Sequence, residues 1–189
     1  MDGWWVASYV VLWVLVVILC FVVVSLARQI GTLHLRLGPR GALEVDDEGP
    51  PLGEAPVAAD ATLVDGTTMT IGGPGSAQVL LFVSATCHVC EQVMPSLGVA
   101  AKAKGMDAVV LSDADRLETR HTFAKRRLDV PIVAGQELIA KYRVPGTPYV
   151  VVLDDLGVVR AKGTINNLEQ LEGLLETALQ RSREQRHAS

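Results

Sequence analysis

Apolar and polar residues are distributed very unevenly along the chain. Of the first 27 residues, 23 are apolar, and Gly3 to Ala27 carries no charged side chain. A helix rising ~1.5 Å per residue over that length crosses a ~30 Å hydrocarbon layer with room for tilt. The pattern predicts an uncleaved transmembrane helix. A secretory leader fits less well, because Asp2 stands where leaders carry Lys or Arg, the apolar run exceeds an h-region and no small-x-small site follows it. Trp4 and Trp5 suit the headgroup belt. Between Arg28 and Leu37, apolar Ile30, Leu33, Leu35 and Leu37 are interspersed with Arg and His, a pattern that extends the helix along the interface. Gly38 to Pro56 is rich in Gly and Pro with an acidic cluster (Glu44, Asp46, Asp47, Glu48), and reads as a tether. The chain thus divides into an anchor at 1–27, a juxtamembrane segment and flexible linker at 28–52, and a folded domain at 53–189.

Past Pro56, short apolar runs alternate with helical stretches, the signature of an α/β domain. Strands are expected at Gln78–Ser84, Asp107–Leu111, Val130–Val133, Tyr149–Leu153 and Val158–Gly163, the last two joined by an Asp154-Asp155-Leu156-Gly157 hairpin turn. Helices are expected at Cys90–Lys104, kinked at Pro95, at Arg116–Leu128, and at Leu168–Leu179, where Leu168, Leu171, Leu174, Leu175, Ala178 and Leu179 make one apolar face. These elements fit a central mixed sheet covered on both faces.

Composition sharpens that division. The chain has 189 residues, a formal net charge of −4 and 49% hydrophobic residues. Without residues 1–27, 70 of the remaining 162 are apolar, a normal soluble composition. The mildly acidic balance and the lack of long basic runs argue against a nucleic-acid partner. The helix is followed by Arg28, Arg36 and Arg40, with no acid after it until Glu44, so charge counting places the C-terminal bulk in the cytoplasm.

Three cysteines are present, and Cys20 lies within the apolar helix, where packing is its default role. The other two form Cys87-His88-Val89-Cys90 between a predicted strand and a predicted helix. Unpaired N–H groups and the positive dipole end of a helix stabilise a thiolate, and only the thiolate attacks a disulfide. Cys87 is therefore the expected nucleophile, and Cys90, one turn deeper on the same side, the resolving thiol. A c-type haem site would need His after the second Cys, where Glu91 stands, and a zinc site would need two further ligands that no clustered motif supplies. No metal and no cofactor are called for. A second constellation, Val144-Pro145-Gly146-Thr147-Pro148, precedes the strand at Tyr149. A cis bond before Pro148 would expose the Thr147 backbone to an extended substrate, although an ordinary trans turn is favoured on local grounds.

With Cys87-x-x-Cys90 after a strand, Pro95 five residues on, and Thr147-Pro148 before a strand entering a hairpin, the chain resembles the thioredoxin superfamily. That resemblance implies a thioredoxin-like fold, a redox-active Cys87–Cys90 disulfide, and a cis Pro148 packed against it. Gly53-Glu-Ala-Pro56 followed by Leu63-Val-Asp-Gly66 resembles the redoxin branch of membrane-anchored TlpA-like proteins. Leu26-Ala-Arg-Gln-Ile-Gly31, Leu33-His34, Gly41-Ala-Leu43, Phe82-Val-Ser84, Arg160-Ala-Lys-Gly163, Asn167 and the final helix are similar to the MauD family of methylamine utilisation proteins. This resemblance spans most of the chain to about residue 178.

The family resemblance implies a thiol-disulfide oxidoreductase that helps form disulfides in, and mature, the cysteine-rich β-subunit of methylamine dehydrogenase. It also implies a multi-span membrane redox partner. Such work belongs where thiols are not held reduced, which favours a periplasmic domain against the arginine count. Alternative readings are a TlpA-like thiol reductase in cytochrome c maturation and a non-catalytic chaperone for the immature subunit. A thiol peroxidase is disfavoured, since Leu80 and Ser84 occupy the Pro and Thr positions of its motif. Two departures from thioredoxins bear on proton handling. Thr86 replaces the usual Trp before the first Cys, and Leu81 replaces the buried acid. His88 and Glu91 are the candidate modulators in their place.

Overall fold

The computed structural model describes residues 3–36, 47–123 and 128–188, which fall into two compact units, Met1–Pro39 and Arg40–Ser189. The first is built on one helix, α1 (Gly3–Arg36), continuous through the expected anchor and on past it. Its Gly3–Val23 portion is long and apolar enough to cross a membrane, and its described side chains there are exposed.

The second unit holds β1 (Ala59–Thr62), β2 (Thr68–Ile71), β3 (Gln78–Val83), α2 (His88–Ala103), β4 (Asp107–Ser112), α3 (Arg116–Phe123), β5 (Ile132–Ala134), α4 (Gln136–Lys141), β6 (Tyr149–Leu153), β7 (Val159–Thr164) and α5 (Leu168–Ala188). Five strands form a mixed sheet in the order β5-β4-β3-β6-β7, with β3, β4 and β5 parallel and β6 and β7 antiparallel. The fold is thioredoxin-like, as the sequence implied.

Continuous apolar runs in β3 and β6 follow from burial on both sheet faces. On one face, Val79, Leu81, Val83, Val150 and Val152 pack with Val93 and Leu97 of α2 and Leu171, Leu174 and Leu175 of α5. On the other, Leu80, Phe82, Tyr149, Val151 and Leu153 pack with Ala61 and Ile71 of the β1–β2 hairpin and with Leu138 and Tyr142. The β6–β7 hairpin is held by Asp154, whose Oδ1 accepts from the Leu156 and Val158 amides at 2.9 Å and whose Oδ2 accepts from Arg160 Nε at 2.6 Å.

Several elements differ from the sequence reading. Helix α2 begins at His88, not Cys90, and runs unbroken past Pro95. Of the expected Arg116–Leu128 helix, Arg116–Phe123 is helical and Leu128 is not, while residues 124–127 lie outside the described residues. Helix α5 continues nine residues past Leu179 because Arg181 and Gln185 reach back to Arg160, through its carbonyl and its guanidinium respectively. Two features went unread, the six-residue α4 and the β1–β2 hairpin. At its turn Asp65 accepts from the Thr67 amide at 2.9 Å and hydroxyl at 2.7 Å, bonds that hold its carboxyl below the usual range.

The tether also ends earlier than its composition suggests. Gly49 and Pro50 are buried, Gly53 N–H donates to the Val159 carbonyl at 2.9 Å, and Val159 N–H donates to the Glu54 carbonyl at 2.9 Å. Residues 48–54 therefore line the free edge of β7. At the opposite edge, Val64 N–H donates to the Ile132 carbonyl at 3.0 Å and Leu63 bridges Val133, so the N-terminal extension covers both edge strands.

Among the described residues, one buried side-chain polar group is left over. The Tyr142 hydroxyl, beneath Gly72, has no hydrogen-bond partner, and burial pushes its pKa up to about 12. Because this pKa lies above the unfolded value of 10.0, the fold favours the neutral phenol, and stability is lost as pH rises through the window from about 10 to 12. Alkaline difference absorbance should therefore show one tyrosine titrating near the top of that window, a transition absent from Tyr142→Phe. Removing an unpaired buried hydroxyl should raise stability by about 1 kcal/mol in denaturant unfolding.

Candidate active site

Strand β3 delivers the reactive segment. Its last carbonyl, Val83, accepts from the Asp113 amide at 3.0 Å, and the turn that follows closes through Cys87 N–H to the Ser84 carbonyl at 3.2 Å. Ser84 and Thr86 hydroxyls lie 3.3 Å apart across this turn. Cys87, with φ −84° and ψ 105°, is the N-cap of α2, and its Sγ accepts from the Cys90 amide at 3.1 Å. A helix N-terminus leaves such donors without carbonyl partners, so a sulfur placed there satisfies one of them.

Cys87 and Cys90 are joined as a disulfide with Cα atoms 5.3 Å apart. The two sulfurs are not equivalent. Cys90 is 0% exposed and belongs to the apolar cluster under α2, together with Leu81, whereas Cys87 is half-buried at the surface. An incoming thiolate must approach along the S–S axis of an accessible sulfur, which is that of Cys87. The Cys87 sulfur thus sits at the positive end of the α2 dipole, facing the Cys90 amide.

The remaining residues singled out from the sequence fall into two groups. Thr86 is exposed and His88 is 94% exposed, with its Nδ1 3.6 Å from Glu91 Oε2. A pair so open to solvent is screened, and its direct contribution to stability is at most ~1 kcal/mol. Thr147 and Pro148 are joined by a cis peptide bond, Pro148 is buried, and its carbonyl accepts from the Ile165 amide at 3.4 Å. Because Tyr149 is the registered partner of Phe82, the residues just before β6 and those just after β3 emerge at the same end of the sheet. That pairing brings the Thr147-Pro148 turn to the Cys87 end.

No protein-family model matches the chain. Among curated proteins, MauD of Methylorubrum extorquens is 37% identical over 175 residues, covering 90% of this chain and 85% of that protein. MauD of Methylobacillus flagellatus is 35% identical over 180 residues, covering 93% and 87%. The chain belongs to the MauD family of methylamine utilisation proteins. MauD of Paracoccus denitrificans, at 33% identity over 180 residues and 93% and 90% coverage, extends the match to another genus. Among solved structures, a protein assigned as a disulfide isomerase from Bacteroides thetaiotaomicron has a TM-score of 0.60 at 21% identity, covering 74% of this chain and 94% of that one. StoA from Bacillus subtilis has a TM-score of 0.52 at 20% identity, covering 62% and 95%. These likenesses show the fold. Within this MauD-family chain, the Cys87–Cys90 disulfide joins one half-buried and one buried sulfur at a helix N-terminus.

Sequence reasoning passed over Lys162 and Tyr149, both 1% exposed, which meet on the Glu48 carbonyl beside this turn. An apolar strand neighbourhood holding one lysine was the available signal.

The difference in burial predicts a difference in labelling. In reduced, folded protein carrying Cys20→Ser, iodoacetamide should modify Cys87 and leave Cys90 unmodified until denaturant is added, as read by peptide mass spectrometry. Equal labelling of both sulfurs in the native state would contradict the assignment of nucleophile and resolving thiol.

Proposed function

We propose that this chain is a membrane-anchored thiol-disulfide oxidoreductase that assists disulfide formation in, and maturation of, the methylamine dehydrogenase β-subunit. The observation that carries this reading is a disulfide with one accessible and one buried sulfur at a helix N-terminus, in a member of the MauD family. Residues 1–27 serve as the anchor, 28–52 as the juxtamembrane connection and 53–189 as the redox domain, with the strap at 48–54 structurally part of that domain. The domain works on the periplasmic side, where thiols are not held reduced, in spite of Arg28, Arg36 and Arg40. A multi-span membrane redox protein is the class of partner that would reset the disulfide.

In the oxidising direction, a substrate thiolate attacks Cys87 Sγ, a mixed disulfide forms, and Cys90 leaves as the thiol after taking a proton. A second substrate thiolate then attacks the substrate sulfur of the mixed disulfide, and Cys87 leaves as a thiolate facing the Cys90 amide. Two electrons pass from substrate to the Cys87/Cys90 pair. Thr147 offers its backbone to the extended substrate segment beside Pro148, and Thr86, His88 and Glu91 shape the rim that a protein substrate meets.

The test is a trap. In Cys90→Ala the Cys87 thiolate can still attack a disulfide of the substrate, displacing one substrate thiolate, but no Cys90 thiolate remains to break the mixed disulfide, so a dithiothreitol-sensitive adduct containing the β-subunit should accumulate in membranes. An adduct carrying a Cys-x-x-Cys-His protein instead would favour cytochrome c maturation, and absence of adducts with any exported protein would sink the proposal. The Cys87→Ser, Cys90→Ser double variant should abolish maturation of the dehydrogenase. Normal maturation in that variant would mean the chain acts as a chaperone.

A further inference from the structure

The strap that joins the linker to the fold is tied to the substrate end of the sheet. Residues 48–54 run antiparallel to β7, from the level of Tyr149 and Lys162 down to Val159. At the upper end the Glu48 carbonyl accepts two hydrogen bonds, from Lys162 Nζ at 2.6 Å and from Tyr149 Oη at 3.1 Å. Lys162 is the registered partner of Val151, so its side chain rises on the same face as Tyr149. Both donors are 1% exposed. A buried ammonium is retained only where acceptors are fixed around it, which makes this carbonyl a demanding contact and not an incidental one.

Gly49 closes the arrangement. Its φ of +72° is one that L side chains rarely adopt, and a Cβ there would stand 2.3 Å from Tyr149 Oη and 2.9 Å from its Cζ. The strap backbone therefore lies directly on the phenol ring. That ring belongs to the residue immediately after the cis Thr147-Pro148 bond, and its backbone pairs with Phe82 of the strand that leads to Cys87.

We propose that Lys162 and Tyr149 are positioning residues for protein substrates, holding the Thr147-Pro148 turn in place through the Glu48 carbonyl of the strap. The inference rests on the reading of that turn as the substrate seat. Neither side chain touches the reacting sulfurs. Lys162 fixes the strap, the strap with Gly49 fixes the Tyr149 ring, and the ring fixes the strand entrance on which the turn is mounted. Loosening the clasp weakens the hold on an extended polypeptide and leaves the chemistry of Cys87 as it was.

Full-length oxidised protein in detergent is mixed with a synthetic peptide carrying two thiols, or with dithiothreitol. In both reactions the Cys87–Cys90 disulfide takes up two electrons and two protons to become two thiols, and the dithiol probe becomes a disulfide. Dithiothreitol needs only access to sulfur, whereas the peptide also needs the turn. In Lys162→Met and Gly49→Ala the half-saturating peptide concentration should rise about tenfold, the equivalent of one charge-assisted hydrogen bond. The limiting rate and the dithiothreitol rate should stay within about twofold. Lys162→Arg, which keeps a donor, should behave as the parent, and Tyr149→Phe should recover part of the Gly49→Ala loss by removing the 2.3 Å conflict. An unchanged half-saturating concentration in folded Lys162→Met and Tyr149→Phe would overturn the proposal, as would a parallel loss with both probes. Those two variants decide the matter if Gly49→Ala does not fold. Failure of the substrate-seat reading itself would show in the parent protein, as peptide exchange that never saturates while dithiothreitol exchange proceeds, and the clasp would fall with it.

Discussion

The antiparallel pairing of Tyr149 with Phe82 is the constraint on which the site depends. Strand β3 carries the chain up to Cys87 and β6 carries it away from Thr147-Pro148, so this one register decides whether sulfur and turn share an end of the sheet. Side chains alternate with a period of two, and a slip by one residue would turn one strand over, sending Phe82 or Tyr149 into the face now held by Val83 and Val150. With both faces buried, such a slip is heavily penalised. Phe82 is further locked by Tyr142, whose ring lies 5.7 Å away at a tilt of 47°. The price of that packing is the orphaned Tyr142 hydroxyl.

A five-stranded sheet has two edges, and here the same stretch of chain attends to both. Residues 48–54 line β7 and Leu63-Val64 pair with β5, with the β1–β2 hairpin laid over the sheet face between them. Unpaired strand edges invite association with other chains. With the edges covered, neither β5 nor β7 offers a bare strand edge to another chain. The extension is thus a structural part of the domain, and the Lys162–Glu48 contact shows how firmly its first residues are held.

What the sequence revealed follows from which physical signals are local. The strands β3, β4 and β6 are legible because burial on both faces writes them as unbroken apolar runs, and the Cys87/Cys90 pair because the motif sits between a strand and a helix. The start of α2 was misplaced by two residues, since Cys87 caps the helix through its own sulfur and so draws His88 and Val89 into the first turn. The β1–β2 hairpin escaped although Asp65-Gly66 is a strong turn signal, because its four-residue strands alternate weakly and most of their residues are not fully buried. Segment 48–54 was read as tether from its Gly, Pro and acidic content, and nothing local announces that a lysine more than a hundred residues away will claim the Glu48 carbonyl. Long-range clasps of this kind are invisible to composition.

The geometry of the disulfide argues for exchange over stapling. Cross-links stabilise mainly by restricting the unfolded chain, and the effect grows with the length of the loop they close. Cys87 and Cys90 are separated by three positions within a single turn, so their bond constrains almost nothing that α2 does not already constrain. A structural disulfide would also gain from burial of both sulfurs, whereas here one is sealed in an apolar cluster and the other stands half-open under a helix amide. That asymmetry is what a two-step exchange requires. In the exchange proposed above, the accessible sulfur would carry the substrate, the sealed sulfur would be shielded from competing thiols, and their closeness would let the second displace the substrate faster than a solution thiol could reach it.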